Sequence, residues 1–192
     1  YSDGQVDVVN TATGRVVEII GLEPGLSRAI MDRSGRTVLI ANSDTGTISA
    51  IDTRTREVSD EYFIGGEPQD GTAVPGTSTV YWTDASSNEL VAMDSITGTV
   101  TDRVTVGQEP RSAAASPDGS RVFVANYASG TVSVVDTTTN RVRDTIPIGG
   151  SPRAMTPVGA DSLYVTNIAT NTVSVLNTTT GNIESCATCH GP

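Results

Sequence analysis

"SPDGSRVFVANYASGTVSVVDTTTNRVRDTIPIGG", residues 116–150, reads as three short strands separated by turn chemistry. "RVFVAN" begins at Arg121, "TVSVVD" at Thr131 and "RVRDTIPI" at Arg141, and each is rich in the Val, Ile, Thr and aromatic residues that favour strands. The breaks are "SPDGS" at 116–120, "YASG" at 127–130 and "TTTN" at 137–140, with "GGSP" following at 149–152. Gly, Pro, Asn, Asp and Ser in such clusters end strands and set turns. A further strand signal, "PRSAAAS", precedes the stretch from Pro110. Helical periodicity is absent. The unit is therefore four short antiparallel strands in sequence.

Working outward, the same unit recurs. "VDVVNTATG" starts at Val6, "ISAIDTRTR" at Ile48, "LVAMDSITG" at Leu90, "VSVVDTTTN" at Val132 and "VSVLNTTTG" at Val173, so successive starts differ by 42, 42, 42 and 41 residues. A second series keeps step: "LIAN" ends at Asn42, "YWTD" at Asp84, "FVAN" at Asn126 and "YVTN" at Asn167. Four short strands per repeat of about 40 residues predict an all-β fold, a β-propeller of four-stranded blades with about four blade repeats. The residue closing each third strand is Asn10, Asp52, Asp94, Asp136 or Asn177. A short acid or amide there can accept from the backbone two residues on and set the turn into the fourth strand. First strands carry small residues, such as Gly71-Thr72-Ala73 and Ala113-Ala114-Ala115, as crowding near a propeller axis requires.

"YVTN" at Tyr164–Asn167, followed by "TVSVLNTTTG", resembles the YVTN-type β-propeller repeat, and residues 116–150 look like a nearly full copy of it. The resemblance covers about residues 1–183. It implies the fold firmly. For function it implies less, since propellers of this type occur in cell-surface proteins, binding modules and redox-associated proteins.

The strand count has a consequence. The chain opens on a third-strand segment and a fourth strand, continues through three complete blades, and closes on first, second and third strands with at most a stub of a fourth. Closure by shared strands would supply a third strand twice. The expectation is a part of a larger ring, completed by additional polypeptide or another copy of the chain, because an unpaired sheet edge exposes a row of backbone donors and acceptors.

The formal net charge of the 192 residues is −10, from 22 acidic and 12 basic residues, and every basic residue is Arg. An acidic surface repels phosphate backbones, which argues against nucleic acid as a partner. No apolar run has the length of a membrane span. The opening "YSDGQVDVVN" lacks the basic and apolar regions of a secretory leader.

Both cysteines and the one histidine of the chain fall in "CATCH", residues 186–190. This C-x-x-C-H pattern is the c-type haem attachment signature. Cys186 and Cys189 are the expected thioether residues of one haem c, and His190 the proximal iron ligand. Gly191 extends the similarity to c-type cytochromes. The rival readings are a disulfide and half of a zinc site, and the second lacks further Cys or His ligands. Residues 184–192 are then a haem attachment segment, the start of a cytochrome region, following propeller repeats over 1–183. Haem is attached to such motifs outside the cytoplasm, so the resemblance implies the periplasm or the cell surface. Met31, Met93 and Met155 are the internal thioether candidates for the sixth iron position, although each suits core packing better.

Pro68-Gln69, Pro110-Arg111 and Pro152-Arg153 recur at the starts of successive first strands. In a propeller these places ring one mouth of the central channel. Arg111 and Arg153 are therefore candidates for an anionic ligand, against the plainer reading of pairing with nearby carboxylates. Asn177-Thr178-Thr179 is a sequon on a tight turn. No catalytic set is legible. The functional expectation is an extracytoplasmic haem protein exchanging electrons with a redox partner protein. The alternatives are a haem-free surface-binding propeller and the propeller part of a di-haem peroxidase-like enzyme.

Overall fold

The computed structural model describes residues 4–188. Strands β1 (Gln5–Asn10) and β2 (Arg15–Gly21) form a two-stranded half-blade. Four four-stranded antiparallel sheets follow. The first blade holds β3 (Leu26–Met31), β4 (Thr37–Asn42), β5 (Thr47–Asp52) and β6 (Val58–Phe63), and the second β7 (Pro68–Ala73), β8 (Thr79–Asp84), β9 (Glu89–Asp94) and β10 (Val100–Thr105). The third holds β11 (Pro110–Ala115), β12 (Arg121–Asn126), β13 (Thr131–Asp136) and β14 (Arg141–Pro147), and the fourth β15 (Pro152–Val158), β16 (Ser162–Asn167), β17 (Thr172–Asn177) and β18 (Ile183–Thr188). The expected all-β, four-stranded-blade architecture is what the chain adopts.

First strands lie innermost, where β3, β7, β11 and β15 pack in sequence against one another. Among the described residues no comparable contact joins β15 back to β3, so the blades form an open arc. In the first three blades the second and third strands are buried on both faces, as in Val122, Phe123 and Val124 of β12. They consequently read as continuous apolar runs rather than alternating ones. Fourth strands face solvent: β14 is exposed at six of its seven residues.

The core lies between blades. Leu39, Ala41 and Ile48 of the first blade pack against Val80, Trp82 and Met93 of the second. Tyr81, Leu90 and Ala92 pack against Val122, Val124 and Val135 of the third. Phe123, Val132 and Val134 meet Leu163, Val165 and Leu176 of the fourth. Each large side chain buried this way is worth about 1.5–3 kcal/mol.

The turn chemistry is as the sequence predicts. The side-chain oxygen of each residue closing a third strand accepts two backbone N–H groups, two and three residues on. For Asp52 the donors are Arg54 at 2.8 Å and Thr55 at 3.0 Å; for Asp136 they are Thr138 at 3.0 Å and Thr139 at 2.9 Å. Asn10, Asp94 and Asn177 repeat the arrangement. These bonds hold Asp52 and Asp136 below the ordinary aspartate range. In the "SPDGS" turn, the Ser116 hydroxyl, then the Ser120 backbone and hydroxyl, lower Asp118 from 3.8 to about 2.

Two sequence expectations need correction. The small residue at 71 answers to a neighbour in its own sheet rather than to the axis. Gly71 pairs with Trp82, and a Cβ at 71 would lie 2.5 Å from the indole Cε3. The fourth blade also has a full fourth strand where only a stub is expected. β18 pairs with β17 from Leu176↔Ile183 to Thr172↔Thr188. "IESCAT" has few strand-favouring residues, so its own propensity does not form this strand. The open edge of β17 offers a row of backbone partners, and the backbone of 183–188 takes it.

Gly71→Ala is expected to lower stability by about 1–3 kcal/mol, the usual cost of overpacking a filled core. Urea unfolding followed by fluorescence of the single tryptophan measures this, and an unchanged midpoint would contradict the contact.

Stability is also expected to depend on acid. The folded-state values of Asp52, Asp118 and Asp136 lie below the unfolded value, so their contribution is complete above about pH 4–5. It is lost as pH falls toward the folded value of about 2 for Asp118. Urea midpoints should be level from neutral pH to about pH 5, fall below about pH 4, and fall less in Asp118→Asn.

Candidate functional site

Two places carry chemistry, at opposite radii of the arc. The outer one is β18, the outermost strand of the fourth blade. The ladder pairs Ser174 with Cys186, Val173 with Ala187 and Thr172 with Thr188. The first cysteine of the C-x-x-C-H motif is thus on the rim of the propeller, in a strand that crosses the expected boundary between 183 and 184. Cys189 and His190 lie outside the described residues. Among the described residues, no group of three or more His, Cys, Asp or Glu side chains is arranged to hold a metal ion. No helix among them is long and apolar enough to cross a membrane.

The methionines divide. Met93 is fully buried between the first and second blades, and Met155 is buried between the third and fourth. Met31, at the end of β3, is half-exposed, against the expectation of core packing. It follows five strand residues of a sheet whose covering neighbour is only a half-blade, so less surface is available to bury it.

The inner place is the mouth of the channel. Because the first strands converge there, a cavity of about 650 Å³ is lined by the starts of all four, including Arg28, Gln69, Asp70, Arg111 and Arg153. The two arginines singled out from the sequence thus share one cavity, and the structure adds a third. Arg28 escapes a sequence search because its strand starts on Leu26 rather than on proline, and the arginine is the third residue of β3 where Arg111 and Arg153 are the second of theirs.

Partners fix two of the three. Arg28 Nε lies 2.9 Å from Asp70 Oδ1. Arg111 donates from Nη1 to Gln69 Oε1 at 3.1 Å and from Nη2 to the Glu109 carboxylate. Its guanidinium also stands 6.0 Å from the Tyr127 ring centroid. Arg153 is exposed and has no ion-pair partner among the described residues.

The inner edges of the blades are tied by side chains that reach the next first strand. The Ala113 N–H donates to Asp70 Oδ2 and the Ala115 N–H to Thr72 Oγ1, both at 3.2 Å. Ser27 donates to the Pro68 carbonyl at 2.7 Å. Backbone groups on the innermost edge would otherwise lack partners.

This arrangement is a β-propeller. The chain superposes on hydrazine synthase of Kuenenia stuttgartiensis with a TM-score of 0.80 and 22% identity, over 87% of this chain and 50% of that one. At that identity the likeness is one of fold, and this chain spans half the length of the other. No protein-family model matches the sequence, and no curated protein matches it significantly.

Proposed function

We propose that this chain is an extracytoplasmic c-type haem protein that takes part in electron transfer, with its propeller as scaffold or docking surface. The carrying observation is the C-x-x-C-H sequence of 186–190, whose first cysteine is on the outer strand β18. The donor set fits a haem: two thiols at the spacing of two vinyl groups, and an imidazole next to the second thiol. Cys186 and Cys189 would hold the group by thioether bonds, and His190 would bind its iron. Bound there, the haem supplies one-electron chemistry between two iron oxidation states.

The chain's own contribution is positional. The stack of blades puts Cys186 on the outermost strand β18 of the fourth blade. A redox partner protein could then approach the group without disturbing the fold. The sequences of 164–181 and 116–150 support assignment of the blades to the YVTN type, and the attachment motif supports a periplasmic or cell-surface location.

Protein produced with extracytoplasmic haem attachment should show a Soret band that survives acid–acetone extraction. Cys186→Ala and Cys189→Ala should lose most covalent haem while keeping the β-sheet circular dichroism. Absence of covalent haem in the unmodified protein, with the two thiols found as a disulfide, would favour a haem-free binding propeller.

We also propose that further blade-forming polypeptide completes the ring. Tyr164 is 43% exposed, whereas its equivalents Leu39, Tyr81 and Phe123 in the other blades are 0–1% exposed beneath the next blade. At the other end of the arc Val9 of the half-blade is exposed, whereas its equivalents Ile51, Met93 and Val135 in the other blades are buried. The forward face of the fourth blade therefore has the residue types of an interblade core. Covering one such side chain is worth about 1.5–3 kcal/mol. A map of the native assembly should show Tyr164 and Val9 covered by blade-like sheet. A monomeric ring closed by residues 1–192 alone would refute this.

A further inference from the structure

The positive charge at the channel mouth is anomalous for so acidic a chain. The cavity of about 650 Å³ is lined by three arginines, from the first, third and fourth blades, and by Asp44 and Asp70. By contrast, the cleft between the first and second blades is lined by Asp32, Asp52 and Asp60 with Arg33 and Arg36, and another is lined by Asp44 and Glu67 without a cation. Two arginines of the mouth have their local charge matched, Arg28 by Asp70 and Arg111 by Glu109, which leaves Arg153 uncompensated.

The matched pairs do more than neutralise. Arg28 meets Asp70 through Nε, and its side chain is otherwise more than half exposed. Arg111 is held from three directions by Gln69, Glu109 and Tyr127. A guanidinium already fixed loses less side-chain freedom when it engages a ligand. Its remaining N–H groups still present the planar fork that matches a carboxylate or phosphate. The space before the forks stays open because the adjacent first-strand positions are small, Ser112 and Ala154.

We infer that the channel mouth is a binding site for a small multivalent oxyanion of the dicarboxylate or phosphate type, held by Arg153 together with Arg111 and Arg28. This ligand function is independent of the proposed haem, since the site is at the inner edge of the blades and Cys186 is on the outermost strand β18. Size and charge set the class. Asp44 on the rim and the net charge of −10 disfavour extended polyanions, so the ligand is small. Several guanidiniums from separate blades favour a ligand with more than one anionic group.

Isothermal titration of the full chain with succinate and, separately, with inorganic phosphate tests the site. At least one probe should bind saturably, more weakly as salt is raised. Arg153→Gln and Arg111→Gln should each weaken it about tenfold or more. Arg143→Gln, an exposed arginine on the outer strand β14, should change it less than about twofold, because surface charge alone contributes little. Arg153 is exposed, so its replacement leaves the fold intact, and an unchanged melting curve verifies this. Tighter succinate binding identifies a carboxylate ligand, and tighter phosphate binding a phosphorylated one. No saturable binding of either probe, or equal weakening by Arg143→Gln, overturns the proposal.

Discussion

A sheet that is apolar on both faces is stable only between two covering neighbours, and the rest of this molecule follows from that constraint. β12 alternates Val122 and Val124 toward one side with Phe123 and Ala125 toward the other, and all four are buried. Tyr81 comes from the preceding blade on one side and Leu163 from the following blade on the other. No blade could hold such a strand alone, because half of its apolar surface would face water. Stacking is therefore cooperative: each blade is both core and cover. Exposure rises at the two ends of the arc because there the cover is missing, at Tyr164 on one side and Val9 on the other.

Stacking leaves a second problem at the inner edge, where first strands have no partner strand on the axial side. Side chains from the neighbouring blade answer it. Asp70 and Thr72 accept the N–H groups of Ala113 and Ala115, one repeat away in sequence. Asp70 also pairs with Arg28 of the blade before it, so one carboxylate links three blades. The polar groups at the axis are consequently held in place by the fold itself. The same convergence of first strands that requires these ties brings arginines of separate blades around one cavity.

The outer edge behaves differently. Fourth strands are exposed and are formed more by backbone pairing than by side-chain burial. β18 is the limiting case: its residues are weak strand formers, yet it follows β17 through five registered pairs. Cys186 of this strand pairs with Ser174 in the ladder, and Glu184 adds a side-chain tie, its carboxylate accepting from Asn177 Nδ2 at 2.7 Å.

The sequence alone determined the repeat, the four strands per blade and the turns. These depend on local chemistry: β-branched runs fix extended segments, and Asn10, Asp52, Asp94, Asp136 and Asn177 close their turns through bonds two and three residues away. It also displayed the C-x-x-C-H pattern in full, because two cysteines and a histidine at fixed spacing are a property of the chain itself. Tertiary structure decided what depends on distant neighbours. Gly71 is small because Trp82, eleven residues on, lies across the ladder from it. β18 exists because β17 had an open edge. Arg28 joins Arg111 and Arg153 only because first strands, separated by whole repeats in sequence, converge at the axis and place their starts around one opening.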